Sequence, residues 1–111
     1  MMTNERLEEQ KLTATTIIQQ MGGFGKLKAM VNARDFCALK AGVKFRFTGS
    51  RMSNICIVNL DEALDLYDFE LWRVGTRKGQ IYSKLVHTET GLYFDMLKPT
   101  FEEETGLRLS L

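Results

Sequence analysis

Near residue 43 the spacing of apolar residues changes from the helical repeat to the strand repeat, and that change restricts the fold more than any other feature. Upstream, Leu27, Met30 and Val31 recur at i, i+3 and i+4. Downstream, Val43-Lys44-Phe45-Arg46-Phe47-Thr48 alternates strictly, sending Val43, Phe45 and Phe47 to a core and Lys44 and Arg46 to the other face. Helical segments followed by a run of strands give an α+β chain rather than a bundle, a sandwich or a βαβ array.

The remaining segments fit that frame. Residues 3–21 predict a first helix, with Thr3 or Asn4 as its cap and Glu5, Glu8 and Glu9 at the positive end of its dipole. Leu7, Thr15, Ile18 and Met21 fall on one side of it, and Gly22-Gly23 ends it. Residues 25–33 predict a short second helix, and residues 36–41 a connector. The glycine- and serine-rich stretch 49–54 is a break, followed by the β-branched strand Ile55-Cys56-Ile57-Val58-Asn59-Leu60. Residues 66–74 alternate again, with Tyr67, Phe69 and Leu71 inward against Asp68, Glu70 and Trp72. Residues 75–79 read as a hairpin loop and 81–88 as the returning strand. Thr90 caps a last helix reaching Thr105, with Tyr93, Met96, Leu97 and Phe101 buried, a kink or a break at Pro99 and a stop at Gly106. The expected architecture is one domain over 1–111. It is a four-stranded antiparallel meander, with two N-terminal helices and one C-terminal helix packed on the sheet.

Composition narrows the class. With 44% hydrophobic residues, one Pro and 111 residues, the chain has enough apolar surface for a core without covalent staples. It contains no apolar run of the roughly 18 residues a membrane span needs. The mixed-charge N-terminus lacks a secretory h-region, and the acids there argue against a transit peptide. Cys37 and Cys56 form no CxxC and sit among apolar neighbours, so both are expected as buried, reduced thiols in a cytoplasmic protein.

Chemistry-bearing patterns are few. His87 is the sole histidine and has no ligand-spaced Cys, His or acid pair around it. No GxSxG elbow occurs. Gly22-Gly23-Phe24-Gly25-Lys26 lacks the spacing of a Walker loop and follows no strand, leaving a helix N-terminus with Lys26 and Lys28 beside it. Asp61, Glu62, Asp65, Asp68 and Glu70 match no EF-hand spacing. Neither an enzyme nor a cofactor is expected.

Charge is the informative property. The net charge of +1 hides blocks: residues 22–51 carry seven bases against Asp35 alone, residues 52–72 carry five acids and no base, and residues 73–87 carry four bases and no acid. Basic segments with exposed aromatics near them, Phe24 and Trp72, point to single-stranded nucleic acid held by charge and stacking. The candidate contacts are Gly23, Phe24, Gly25, Lys26, Lys28, Arg34, Lys44, Arg46, Arg51, Arg77 and Lys78. The competing expectation is that Lys44 and Arg46 pair across strands with Asp68 and Glu70.

Three stretches resemble a family of small tailed-phage and prophage proteins of unknown function. They are Gln19-Gln20-Met21-Gly22-Gly23 with the run from Leu27 to Phe36, then Asp65-Leu66-Tyr67-Asp68-Phe69-Glu70, then Gly91-Leu92-Tyr93-Phe94-Asp95-Met96-Leu97 with Phe101 and Thr105-Gly106-Leu107. The likeness spans nearly the whole chain in order. Asn32 stands where the family pattern has a glycine, and Pro99 departs from a more regular last helix. The resemblance implies phage or mobile-element origin and no established activity, and it carries over no functional residues; the expected setting is the cytoplasm of a bacterial host. Three modes of action fit: nucleic-acid binding, capture and blocking of a host defence protein by the acidic residues 61–70 and Glu102 to Glu104, or a structural homodimer.

Overall fold

The computed structural model describes residues 4–109. Thr3, one of the two expected caps, lies outside them. The order is α1 (Asn4–Gln20), α2 (Phe24–Val31), β1 (Arg34–Ala38), β2 (Gly42–Arg46), β3 (Ile55–Asp61), β4 (Leu66–Arg77), β5 (Gln80–Leu92), a 3-10 turn (Phe94–Met96) and α3 (Leu97–Thr105). The strands form one antiparallel meander in sequence order, β1 to β5. It has five strands, not the expected four.

The extra strand is β1, part of which the sequence reading assigned to a connector. Only Phe36 of its five residues is half-buried, so no alternation of burial marks it. Asp35, at φ 56°, bulges out of the ladder and shifts the register between Arg34 and Cys37. The bulge places Phe36 on Phe45, with ring centroids 5.4 Å apart.

The three helices cover one face of the sheet. Their contributions are Ala14, Ile17, Ile18, Leu27, Val31, Leu97 and Phe101, packed against Val43, Phe45, Phe47, Cys56, Val58, Phe69 and Leu71. The buried stripe of α1 is Ala14 and Ile17-Ile18, continued by Met21, and Leu7 is exposed, correcting the expected face. Gly22 and Gly23 both have positive φ, and the Gly23 N–H donates to the Ile18 carbonyl at 2.9 Å, ending α1 as expected. Asn32 caps α2 in the left-handed conformation (φ 53°). Gly and Asn tolerate that conformation best, so the departure at Asn32 keeps the backbone a glycine would allow.

The C-terminal region differs most from expectation. β5 runs through Thr90 to Leu92, so Thr90 caps nothing. Gly91, at φ 72°, takes up the extra residue between the Phe69–Glu89 and Tyr67–Leu92 pairs. Because α3 starts only at Leu97, Tyr93 and Met96 are exposed instead of buried, while Leu97 and Phe101 are buried as expected. Pro99 falls in the first turn of α3, where its missing N–H leaves no gap in the ladder, so it accompanies no break. No described helix is long and apolar enough to cross a membrane.

Candidate nucleic-acid interface

β4 and β5 are nearly twice as long as β3, whose last pair with β4 is Ile55 opposite Trp72. Beyond that row, residues 73–77 and 80–84 continue alone as a two-stranded arm about 17 Å long at ~3.4 Å per residue. The sequence reading gave residues 75–79 to a loop. In the structure the turn is only Lys78 and Gly79, both with positive φ (52° and 79°), the sign pattern of a type I′ hairpin turn. Ladder pairing therefore reaches Arg77 and Gln80.

Two devices stiffen the arm. Asn54 ends β3, and its side-chain amide takes the place of one more strand residue. Its Nδ2 donates to the Val74 carbonyl at 2.7 Å, and its Oδ1 accepts the Val74 N–H at 2.9 Å. Further out, Gly75 lies opposite Tyr82, and a Cβ there would stand 3.1 to 3.3 Å from the Tyr82 ring. The bare glycine lets that ring lie across the strand, with the Arg77 guanidinium 5.7 Å from its centroid.

The arm has two unlike faces. Arg73 and Lys84 are direct partners, and with Tyr82 and Arg77 they make the face continuous with the helix side of the sheet. The other face carries Val74, Thr76, Ile81, Ser83 and Leu85 with no charge, and Ile81 is 80% exposed. Like charges directly opposite each other destabilise a strand pair. Arg73 and Lys84 nevertheless meet no carboxylate among the described residues.

The same arrangement recurs at the start of the sheet, where Arg34 is paired with Arg46 on the uncovered face. Asp35 offers Arg46 one contact of 3.7 Å, solvent-exposed on both sides and worth little. The expected neutralisation by Asp68 and Glu70 is absent. β3 intervenes, so Lys44 pairs with Ile57 and only Ile57 pairs with Glu70, putting Lys44 and Glu70 two strand spacings, about 10 Å, apart. Glu70 instead accepts the Trp72 indole N–H at 2.8 Å.

Antiparallel order decides where the charge blocks go. Arg34, Arg46, the Arg51 loop and the arm lie at one end of the strands; Asp61, Glu62, Asp65 and Asp68 lie at the other. Within the sheet and its loops, the arm end gathers Arg34, Arg46, Arg51, Arg73, Arg77, Lys78 and Lys84 with Asp35 as the only acid.

The candidate residues thus divide. Arg34, Lys44 and Arg46 share the uncovered face, and Arg51, Arg77 and Lys78 lie at the same end. Gly23, Phe24, Gly25, Lys26 and Lys28 sit on and before α2, which packs at the β1 edge through Phe24 on Phe36 (4.9 Å). β1 and β4 are three strand spacings apart, about 14 Å, so this group is not part of the arm. Phe24 is not a bare stacking platform, since it packs on Phe36 and lies 5.9 Å beneath the Lys28 ammonium. Trp72, expected to be exposed, is half-buried. Sequence reasoning missed Arg73, Lys84 and Tyr82 as candidates, although their alternation was readable once the turn is placed at Lys78-Gly79.

Several other chemistry-bearing groups have structural partners. Asp61 Oδ1 accepts the N–H of Ala63 and Leu64, and Glu102 Oε2 accepts the Leu109 N–H at 2.9 Å. His87 is not isolated, contrary to expectation. Its Nε2 lies 2.7 Å from Glu89 and its Nδ1 3.4 Å from Glu104 of α3. Glu89 follows at i+2 on the same strand face, a signal present in the sequence; Glu104 arrives only through tertiary packing. These are the three side chains of metal-ligating type that cluster among the described residues, and their contacts to one another tie β5 to α3. Cys56 is buried, and that burial pushes its thiol far above the usual range, so it is inert. Cys37 is exposed on β1, correcting the expectation that both thiols are buried.

No family model, curated protein or solved structure matches the chain.

Proposed function

We propose that this protein is a non-enzymatic accessory protein of phage type that binds nucleic acid through the basic end of its sheet. The observation that carries this reading is the pair of cation-against-cation strand contacts, Arg34 with Arg46 and Arg73 with Lys84, at one end of the sheet. A chain with 15 bases and 14 acids has the means to neutralise them, yet among the described residues these four share a single weak acid contact. A polyanion supplies the missing counter-charge at close quarters. Two alternatives have less support. Blocking a host protein by mimicry needs uncommitted carboxylates, and of the eight in residues 61–70 and 102–104 four, Asp61, Glu70, Glu102 and Glu104, are engaged within the fold. A homodimer through the uncovered face would bring Lys44, Arg34 and Arg46 of two copies together.

The test is fluorescence anisotropy with labelled single- and double-stranded DNA and RNA. Wild-type protein should bind, losing about a thousandfold or more in affinity between 50 and 200 mM salt if six or more phosphates are contacted. Lys44→Glu with Arg46→Glu should weaken binding strongly, and Lys26→Glu with Lys28→Glu only slightly. No binding to any probe at the lower salt overturns the reading. Loss with the second pair alone would move the interface to α2.

A further inference from the structure

The arm adds something the basic end alone does not specify, namely the form of the nucleic acid. Resting on the reading above, we infer that the partner is double-stranded DNA and that the β4–β5 arm is the element that enters one of its grooves. A two-stranded ribbon is among the few protein elements that fit the major groove, which is about 12 Å wide. This one extends about five residue pairs past the last strand that supports it, and the type I′ turn keeps its end as narrow as a hairpin allows.

Its side chains are distributed as a groove requires. Arg73, Arg77 and Lys84 lie on one face, within reach of a phosphate wall, and Lys78 stands at the tip. Ile81, beside the tip on the opposite face, is the most exposed large hydrophobic residue described. It packs nothing in the core and stands opposite Thr76 at the surface. Against base edges it would lose its exposed apolar area and meet thymine methyl groups. Lys84 and Arg77 flank Tyr82, whose ring is held over Gly75. The arm thus presents its cations from a stiff frame.

Single-stranded nucleic acid fits less well. Its non-specific binders offer ring faces on which bases stack. The aromatics beside the cations are already engaged: Phe24 by Phe36 and Lys28, Trp72 by burial and by Glu70, Tyr82 by Gly75 and Arg77.

The test uses the full chain and a labelled duplex of about 20 base pairs, roughly two helical turns, against each of its strands alone. Wild-type protein should prefer the duplex by about tenfold or more. Arg77→Glu with Lys84→Glu should remove most of that preference and lower the salt slope of duplex binding by about 2. Ile81→Ser should weaken duplex binding several-fold with the slope unchanged, because it removes an apolar contact and no phosphate contact. All three sites are exposed, and unchanged thermal melting confirms that the fold survives. Equal affinity for duplex and single strands, or arm variants that bind like wild type, overturns the arm inference while leaving nucleic-acid binding in place. No binding to any probe overturns both.

Discussion

β4 and β5 belong to two regions built under opposite rules. Where β3 supports them, Tyr67, Phe69 and Leu71 are buried beneath the helices, and every second residue of β4 is paid for by core packing. In the arm the same alternation continues without the helices over it, half-buried to Gly75 and exposed beyond, and the inward positions pass from Leu71 to Arg73 and Arg77. The backbone geometry is shared; only the cover differs. A strand pattern therefore reports which residues share a face, and not whether anything lies on that face. The covered half holds the core together, and the other half presents Arg73, Arg77 and Lys84, the charge on which the proposed function rests.

Chemical reactivity should show the largest difference between covered and uncovered surface. Cys56 lies under the helices and Cys37 on the open side of β1, so iodoacetamide should label Cys37 alone in the native protein. Mass spectrometry reads this directly, and equal labelling of both thiols without denaturant would break the comparison. Next in size, Phe45→Ala should cost about 3–5 kcal/mol by chemical denaturation, because the ring is fully buried among Phe36, Phe47 and Phe101. On the arm, Ile81→Ser should stay within about 0.5 kcal/mol of wild type, since the side chain is exposed. Similar losses for the two would show that the arm is packed after all.

Gly42→Ala sharpens the distinction inside the covered half. A Cβ at Gly42 would overlap the Val58 carbonyl oxygen, so β2 and β3 must separate, at a cost of about 1–3 kcal/mol. The matching change on the arm, Gly79→Ala, meets no neighbour and is limited to the strain of a positive φ, about 1 kcal/mol. Asn54→Ala removes the two hydrogen bonds to Val74 and should cost roughly 1 kcal/mol. Amide exchange is the more telling measurement there. Residues 73–84 should exchange faster while β2 and β3 keep their protection, and unaltered arm protection would show that the arm needs no anchor.

Much of the fold was legible. The alternation of Val43, Phe45 and Phe47, and of Tyr67, Phe69 and Leu71, assigned the correct residues to the core because a half-buried strand must alternate. Gly22-Gly23 and Gly106 ended helices as expected, each with positive φ. β1 was hidden because an edge strand with one half-buried residue and a bulge has no period to read. The last helix was placed too early because Thr90 resembles a cap, and only the pairing of Leu92 with Tyr67 shows that the chain is still in the sheet. Of the candidate interface, the charge blocks were visible and their neutralisation was not decidable. Whether Lys44 faces Glu70 depends on which strand lies between them, and that is a property of strand order.

Local patterning, then, determined the element types, most of the core and the segregation of charge along the chain, because each depends on residues a few positions apart. Tertiary structure alone decided that β1 joins the sheet, that His87 lies between Glu89 and Glu104, and that two basic segments separated by an acidic one meet at the same end. Antiparallel meandering reverses direction at each turn, so segments distant in sequence are brought side by side and their neighbours in sequence are carried to the far end. Charge spacing along a chain carries no record of those reversals.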